Sequence, residues 1–164
     1  MGPLFYFIRA SLPLFALADY GLRGCLQVSL VDLANNKSLR FRQGLALPFG
    51  SLSLPESSSS GTAKIMNRLS NVDFSAIENG GKIIKVDIPS FDTNKGLRGA
   101  LILSSPPEAE IMASIGANHK NTAEFFYSQR QPSLIVEGVM RYGDRDIVFM
   151  KDEAFGVFNW GRGL

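Results

Sequence analysis

This 164-residue sequence is poor in the residues that most often carry chemistry: it has one Cys, one His and one Trp. Cys25 alone cannot close an internal disulfide, so an oxidising compartment is not implied. With only His119 beside it, no His/Cys zinc centre can be built. Carboxylate metal sites have no supporting spacing, and no cofactor is expected. Seventeen Lys and Arg stand against fifteen Asp and Glu, a balance that leaves no electrostatic footprint for nucleic acid. There is no G-x-S-x-G elbow. A Cys25–His119 dyad is conceivable, but Cys25 lies in an apolar strand pattern, where an inert buried thiol is the commoner state. Gly96-Leu-Arg-Gly99 is shorter than either phosphate-loop fingerprint and reads as the start of a strand with a bulge.

Long apolar runs are missing too. Gly2 to Ala18 is broken by Arg9, Ser11 and prolines, too interrupted to span a bilayer. Ala16-Leu-Ala18 mimics a signal-peptidase site, but no positive region precedes it. The segment reads as a pair of strands, and a cytoplasmic location is expected. Asn36-Lys37-Ser38, a glycosylation triplet by pattern, then reads as a turn.

What the sequence does have is period two. Hydrophobic residues are 45% and charged residues 20%, an ordinary globular mix, and the length fits one domain spanning 1–164. Leu26, Val28 and Leu30 share one face, and Asn35-Asn36 supplies a hairpin turn into Ser38–Gln43. Ile84, Val86 and Ile88 alternate with Lys85 and Asp87 until Pro89. Leu97, Gly99, Leu101 and Leu103 alternate before Pro106-Pro107. Leu134–Tyr142, Gly143-Asp144 and Arg145–Met150 form the clearest hairpin. Its two-residue loop sets Arg141 opposite Asp146, Met140 opposite Ile147 and Gly138 opposite Phe149. Charges then meet on one face and apolar groups on the other.

Between the strands, the Ser-rich stretch 55–61 reads as a solvated loop or short linker. Ser105-Pro-Pro-Glu108 has capping-box spacing, yet Ile111, Ala113 and Ile115 alternate as a strand would. No helix-period segment is long enough for a βαβ crossover. Nine or ten short strands make the fold all-β, an antiparallel barrel or half-barrel.

Two segments stand out as candidate sites. In Glu124–Arg130, Phe125, Tyr127 and Gln129 line one face while Phe126, Ser128 and Arg130 take the other; an aromatic-and-polar face can line a ligand cavity. In Phe155–Arg162, Phe158, Trp160 and Arg162 share a face, with Asn159 opposite. Arg162 could stack on Trp160, although core packing of Phe155 and Trp160 is the plainer reading. Glu137 and Arg141 are interior ionisable groups if their face points into the barrel, and an ordinary charged pair if it points out. The candidate ligand-binding set is Tyr127, Arg130, Glu137, Asn159, Trp160 and Arg162.

Four segments together resemble the domain-of-unknown-function 2804 family. They are Phe15-Ala-Leu-Ala-Asp-Tyr-Gly21, Phe126-Tyr-Ser-Gln-Arg130, Val136-Glu-Gly-Val-Met-Arg-Tyr-Gly143 and, above all, Asp152-Glu-Ala-Phe-Gly-Val-Phe-Asn-Trp-Gly-Arg-Gly163. The resemblance implies a lipocalin-like, two-barrel β architecture, distantly similar to carotenoid hydratases of the hydroxyneurosporene synthase type. It also implies a further aromatic-rich β region after Trp-Gly-Arg-Gly, so this sequence is expected to be incomplete, with strand 155–160 at an open edge prone to self-association. The residue before the Trp is often Asp in that family. Here it is Asn159, and an amide cannot titrate.

Three functions therefore compete. One is a lipocalin-like module binding an apolar small molecule, the partner that eight-stranded barrels hold. Another is a hydratase or lyase acting on an apolar alkene, which rests on the resemblance alone. The third is a truncated product with no function of its own. An inward carboxylate with a raised pKa would favour the enzyme.

Overall fold

The computed structural model describes residues 4–7, 11–48, 52, 54–118 and 121–163; for 4–7, 118, 122 and 123 only the backbone is considered. Twelve strands occur among these residues. In chain order they are β1 (Leu4–Phe7), β2 (Ser11–Asp19), β3 (Arg23–Asp32), β4 (Lys37–Ala46), β5 (Thr62–Met66), β6 (Asn71–Ala76), β7 (Lys82–Asp92), β8 (Lys95–Ser104), β9 (Met112–Asn118), β10 (Asn121–Tyr142), β11 (Arg145–Phe149) and β12 (Phe155–Gly163). All pair antiparallel in one sheet, ordered β4-β3-β2-β1-β12-β10-β8-β7-β6-β5. The sheet curls into a lipocalin-like half-barrel.

The 22-residue β10 is the spine. One edge carries β9 and then β8; the other carries β12 and then β11. Halfway along, the register slips between Gln131 and Leu134, with Ser133 at φ 59. Such a bulge adds a residue and exchanges the faces. Tyr127, Gln129 and Gln131 face inward before it, and Leu134, Val136 and Met140 after it.

Every major alternation read from the sequence feeds one core. Phe15 and Leu17 from β2, Leu26 and Val28 from β3, Ile84, Val86 and Ile88 from β7, and Leu97, Leu101 and Leu103 from β8 are buried together with Met140, Ile147 and Phe149. The hairpin pairs as expected, Arg141 with Asp146, Met140 with Ile147 and Gly138 with Phe149. Gly143 takes φ 57 at the turn, a conformation Gly adopts without strain. Where β8 and β10 meet, Gly99 and Gly138 let the backbones close in. A Cβ on Gly99 would press into the Val139 carbonyl, and one on Gly138 into that of Ala100.

Several expectations need correction. Strand β12 is not at an edge; it lies between β1 and β10, and the path ends at β4 and β5. Phe155 does not pack in the core: it sits on the outer phase of β12 and is 46% exposed. Pro89 does not end β7, which runs to Asp92 with a register shift after Ile88. Residues 105–108 start no helix; Ala109 N–H donates to the Pro106 carbonyl in a turn. Ile111, Ala113 and Ile115 in and before β9 are all exposed, so their alternation marks no buried face. The Ser-rich stretch is a strap tied to the barrel through Ser58 and Pro55.

Candidate functional sites at the two ends of the half-barrel

The curled sheet has two ends, and each gathers polar groups from strands distant in sequence. At one end lie the β3–β4 and β10–β11 hairpins. Leu30, Leu39 and Ile147 form an apolar floor there, beside Tyr142 and Ser11. Asp32, Asn35, Lys37 and Arg145 form the rim of a cavity of about 400 Å³. Arg145 reaches across the mouth to Asp32, Nη1 to Oδ2 at 3.6 Å. The Asn35 amide and backbone N–H hold the Asp32 carboxyl below its usual range, and Arg145 adds to this. Below the rim, the Tyr142 hydroxyl donates to Asp92 Oδ2 at 3.0 Å. Burial, then this bond to a carboxylate, pushes the Tyr142 phenol up. The Thr93 backbone N–H, with Tyr142, pulls Asp92 down.

At the other end the strap 54–61 folds over the interior. Trp160 Nε1 donates to the Pro55 carbonyl at 3.2 Å, and the Ser58 hydroxyl donates to Gln129 Oε1. Gln129 Nε2 donates in turn to the Tyr127 hydroxyl at 2.6 Å. The Tyr127 and Trp160 rings meet edge to face, centroids 5.9 Å apart, a favoured aromatic geometry. Under the strap lies Lys82, on the same phase of β7 as Ile84, Val86 and Ile88, and only 6% exposed. Its ammonium donates to the carbonyls of Gly80 at 2.8 Å and Gly81 at 3.2 Å. It also sits 4.9 Å from the centre of the Phe158 ring. Among the described residues no carboxylate lines this site, whose walls are strap serines, Ala63, Phe74, Ser75, Ala76, Phe158 and Trp160. Burial lowers the Lys82 pKa to about 8.

The six sequence candidates divide between places. Tyr127 and Trp160 come together on the inner face under the strap. Arg162 shares the Trp160 phase but lies exposed near the end of β12. Arg130 and Asn159 meet on the outer face, Nε to Oδ1 at 2.9 Å. Glu137 and Arg141 also point outward; Arg141 forms two bonds to Asp146, at 2.5 and 2.8 Å, so the outward alternative holds for this face. Of the dyad, Cys25 is partly exposed, and His119 lies outside the described residues. No group of His, Cys, Asp and Glu among the described residues could hold a metal ion.

Sequence reading missed Lys82 and the whole mouth. Lys82 did leave a signal, because a lysine in phase with an apolar alternation is out of place. The mouth left none, since its lining comes from β2, β3, β4, β10 and β11.

The strand order and the curl of the sheet define a lipocalin-like β half-barrel. The crystal structure of kievitone hydratase from Nectria haematococca shares this fold, with a TM-score of 0.55 at 10% sequence identity. The match covers 99% of this chain and 48% of that one, so the chain spans about half the length of that structure. No curated protein matches the sequence. Residues 5–164 match the family described as domain of unknown function (DUF2804), and the chain belongs to that family. No helix among the described residues is long and apolar enough to cross a membrane.

Proposed function

We propose that this chain is a binding module that takes an apolar small molecule into the mouth of its half-barrel. The observation that carries this reading is the cavity of about 400 Å³ over Leu30, Leu39 and Ile147. Its size suits a small organic ligand, and an apolar floor with few polar groups at the rim is the usual build of such sites. Lys37 and Arg145 at the rim orient one polar end of the ligand, in place of the sequence candidates Arg130 and Arg162. Tyr127 and Trp160 then line the closed end rather than contact the ligand. The open edges at β4 and β5 provide a route to self-association.

The second reading, a hydratase or lyase acting on an apolar alkene, is favoured by the likeness to kievitone hydratase. It needs a carboxyl kept protonated near neutral pH. Among the described residues, the carboxyls with displaced titrations are Asp32, Asp73, Asp92 and Asp146, and each is displaced downward. Binding without chemistry therefore fits the cavity better.

The test uses a dansyl-labelled undecanoic acid as probe. The protein should enhance probe emission, Leu39→Glu should abolish the effect while the fold persists by circular dichroism, and Trp160 emission should change little. Equal binding by Leu39→Glu and the unsubstituted protein would refute the mouth as the site.

A further inference from the structure

Among the described residues, Lys82 is the buried cation that the binding reading does not use. A lysine that serves only structure normally ends at a carboxylate or in water. Here Nζ has two backbone carbonyls and an aromatic ring, and lies against a small, mainly apolar space between the strap and Phe74, Phe158 and Trp160. Two of its three hydrogens are engaged by Gly80 and Gly81. We propose that Lys82 is the amine of a second site, beneath the strap, that condenses reversibly with a small aldehyde to form an imine.

The step balances without an oxidant or reductant. The neutral Nζ adds to the carbonyl carbon, the C=O π pair moves to oxygen, and a proton shifts from nitrogen to that oxygen. The carbinolamine then expels the oxygen as water as C=N forms, the nitrogen having given up both its hydrogens. Desolvation in an apolar pocket is the established way to keep a lysine neutral and nucleophilic. With a pKa of about 8 against the ordinary 10.5, the neutral fraction at pH 7 is roughly 300-fold larger than for an exposed lysine. Among the described residues, the groups that face Lys82 carry no titratable side chain. Its strand partners are Ala76 on β6 and Leu103 on β8, and Phe158, Trp160 and the strap serines complete the wall. Asp73 on β6 is paired with Lys64 at 3.0 Å, and Glu78 in the preceding turn is exposed.

The site sets the ligand's size. The open space is about 30 Å³, enough for a water or two. A two-carbon aldehyde fits with a small outward movement of the strap around Ser58, whose side-chain tie to the barrel is the bond to Gln129, while Trp160 keeps its hold on Pro55. Larger carbonyl compounds are excluded.

Trapping with glycolaldehyde and cyanoborohydride, followed by peptide mass mapping, tests this directly. The hydride reduces any imine to a stable secondary amine. At pH 7, Lys82 should label at least tenfold faster than exposed Lys64 and Lys85, and its rate should level off above pH 8 while theirs keep rising. Ser58→Ala should speed labelling at Lys82 alone. Faster labelling of Lys82 in either protein supports the proposal. Slower labelling at Lys82 than at Lys64 and Lys85 in both proteins overturns it, and makes Lys82 an inert cap on the Gly80 and Gly81 carbonyls.

Discussion

Replacing Phe149 with Ala tests the packing of the half-barrel at its best-defined point. Phe149 ends β11, is 2% exposed, and pairs with Gly138 on β10. Gly138 has no side chain to fill the space that the ring leaves. Strand β11 has five residues and buries only Ile147 and Phe149, so little else can collapse into the hole. A cavity of this kind costs about 3–5 kcal/mol. For a domain of this length each kcal/mol moves the melting temperature by about 2–4 °C, so a fall of roughly 6–20 °C is expected. Circular dichroism melts with urea titration are the assay, and an unchanged urea slope would confirm that stability alone moved. Phe155→Ala is the matched control: the same residue type, on β12, 46% exposed, with an expected loss of about 1 kcal/mol or less. The exposed Arg141–Asp146 pair should likewise matter little, so Arg141→Ala should melt close to the unsubstituted protein. Equal losses for Phe149→Ala and Phe155→Ala would refute the assignment of faces in β11 and β12.

Two further outcomes follow from the same geometry. Gly138→Ala should cost more than Phe155→Ala although it adds a single methyl, because its Cβ meets the Ala100 carbonyl at φ 139; amide hydrogen exchange should show β8–β10 opening first, and unchanged protection there would count against the close approach. Lys82→Met should change the pH dependence of stability. The folded pKa of about 8 lies below the ordinary 10.5, so folding penalises the ammonium fully below pH 8 and progressively less up to pH 10.5. Between pH 7 and pH 10 the unsubstituted protein should therefore gain on the Met variant, by about 2 kcal/mol after allowance for solvent screening. A difference that stays flat across that range would mean that Lys82 is solvated.

Local pattern determined which residues face each other, and did so wherever a strand was regular. The Gly143-Asp144 turn set the β10–β11 register, and the alternations in β3, β7 and β8 set the buried faces, because a period-two pattern leaves one way to hide its apolar side. The family resemblance, carried by Asp152–Gly163 in particular, set the lipocalin-like class. Three things needed the tertiary structure. The bulge at Pro132–Ser133 exchanges the faces of β10, so Tyr127 points inward and Glu137 outward; Pro132 marks a place where pairing breaks, but not that one strand continues through it with its faces exchanged. Strand β12 is interior because β1, some 150 residues earlier in the chain, pairs with its other edge, and sequence spacing carries no information about such a partner. The strap over Trp160 and Lys82 looked like a polar linker because its ties, Ser58 to Gln129 and Trp160 to Pro55, join residues that only the closing of the sheet brings within hydrogen-bond reach.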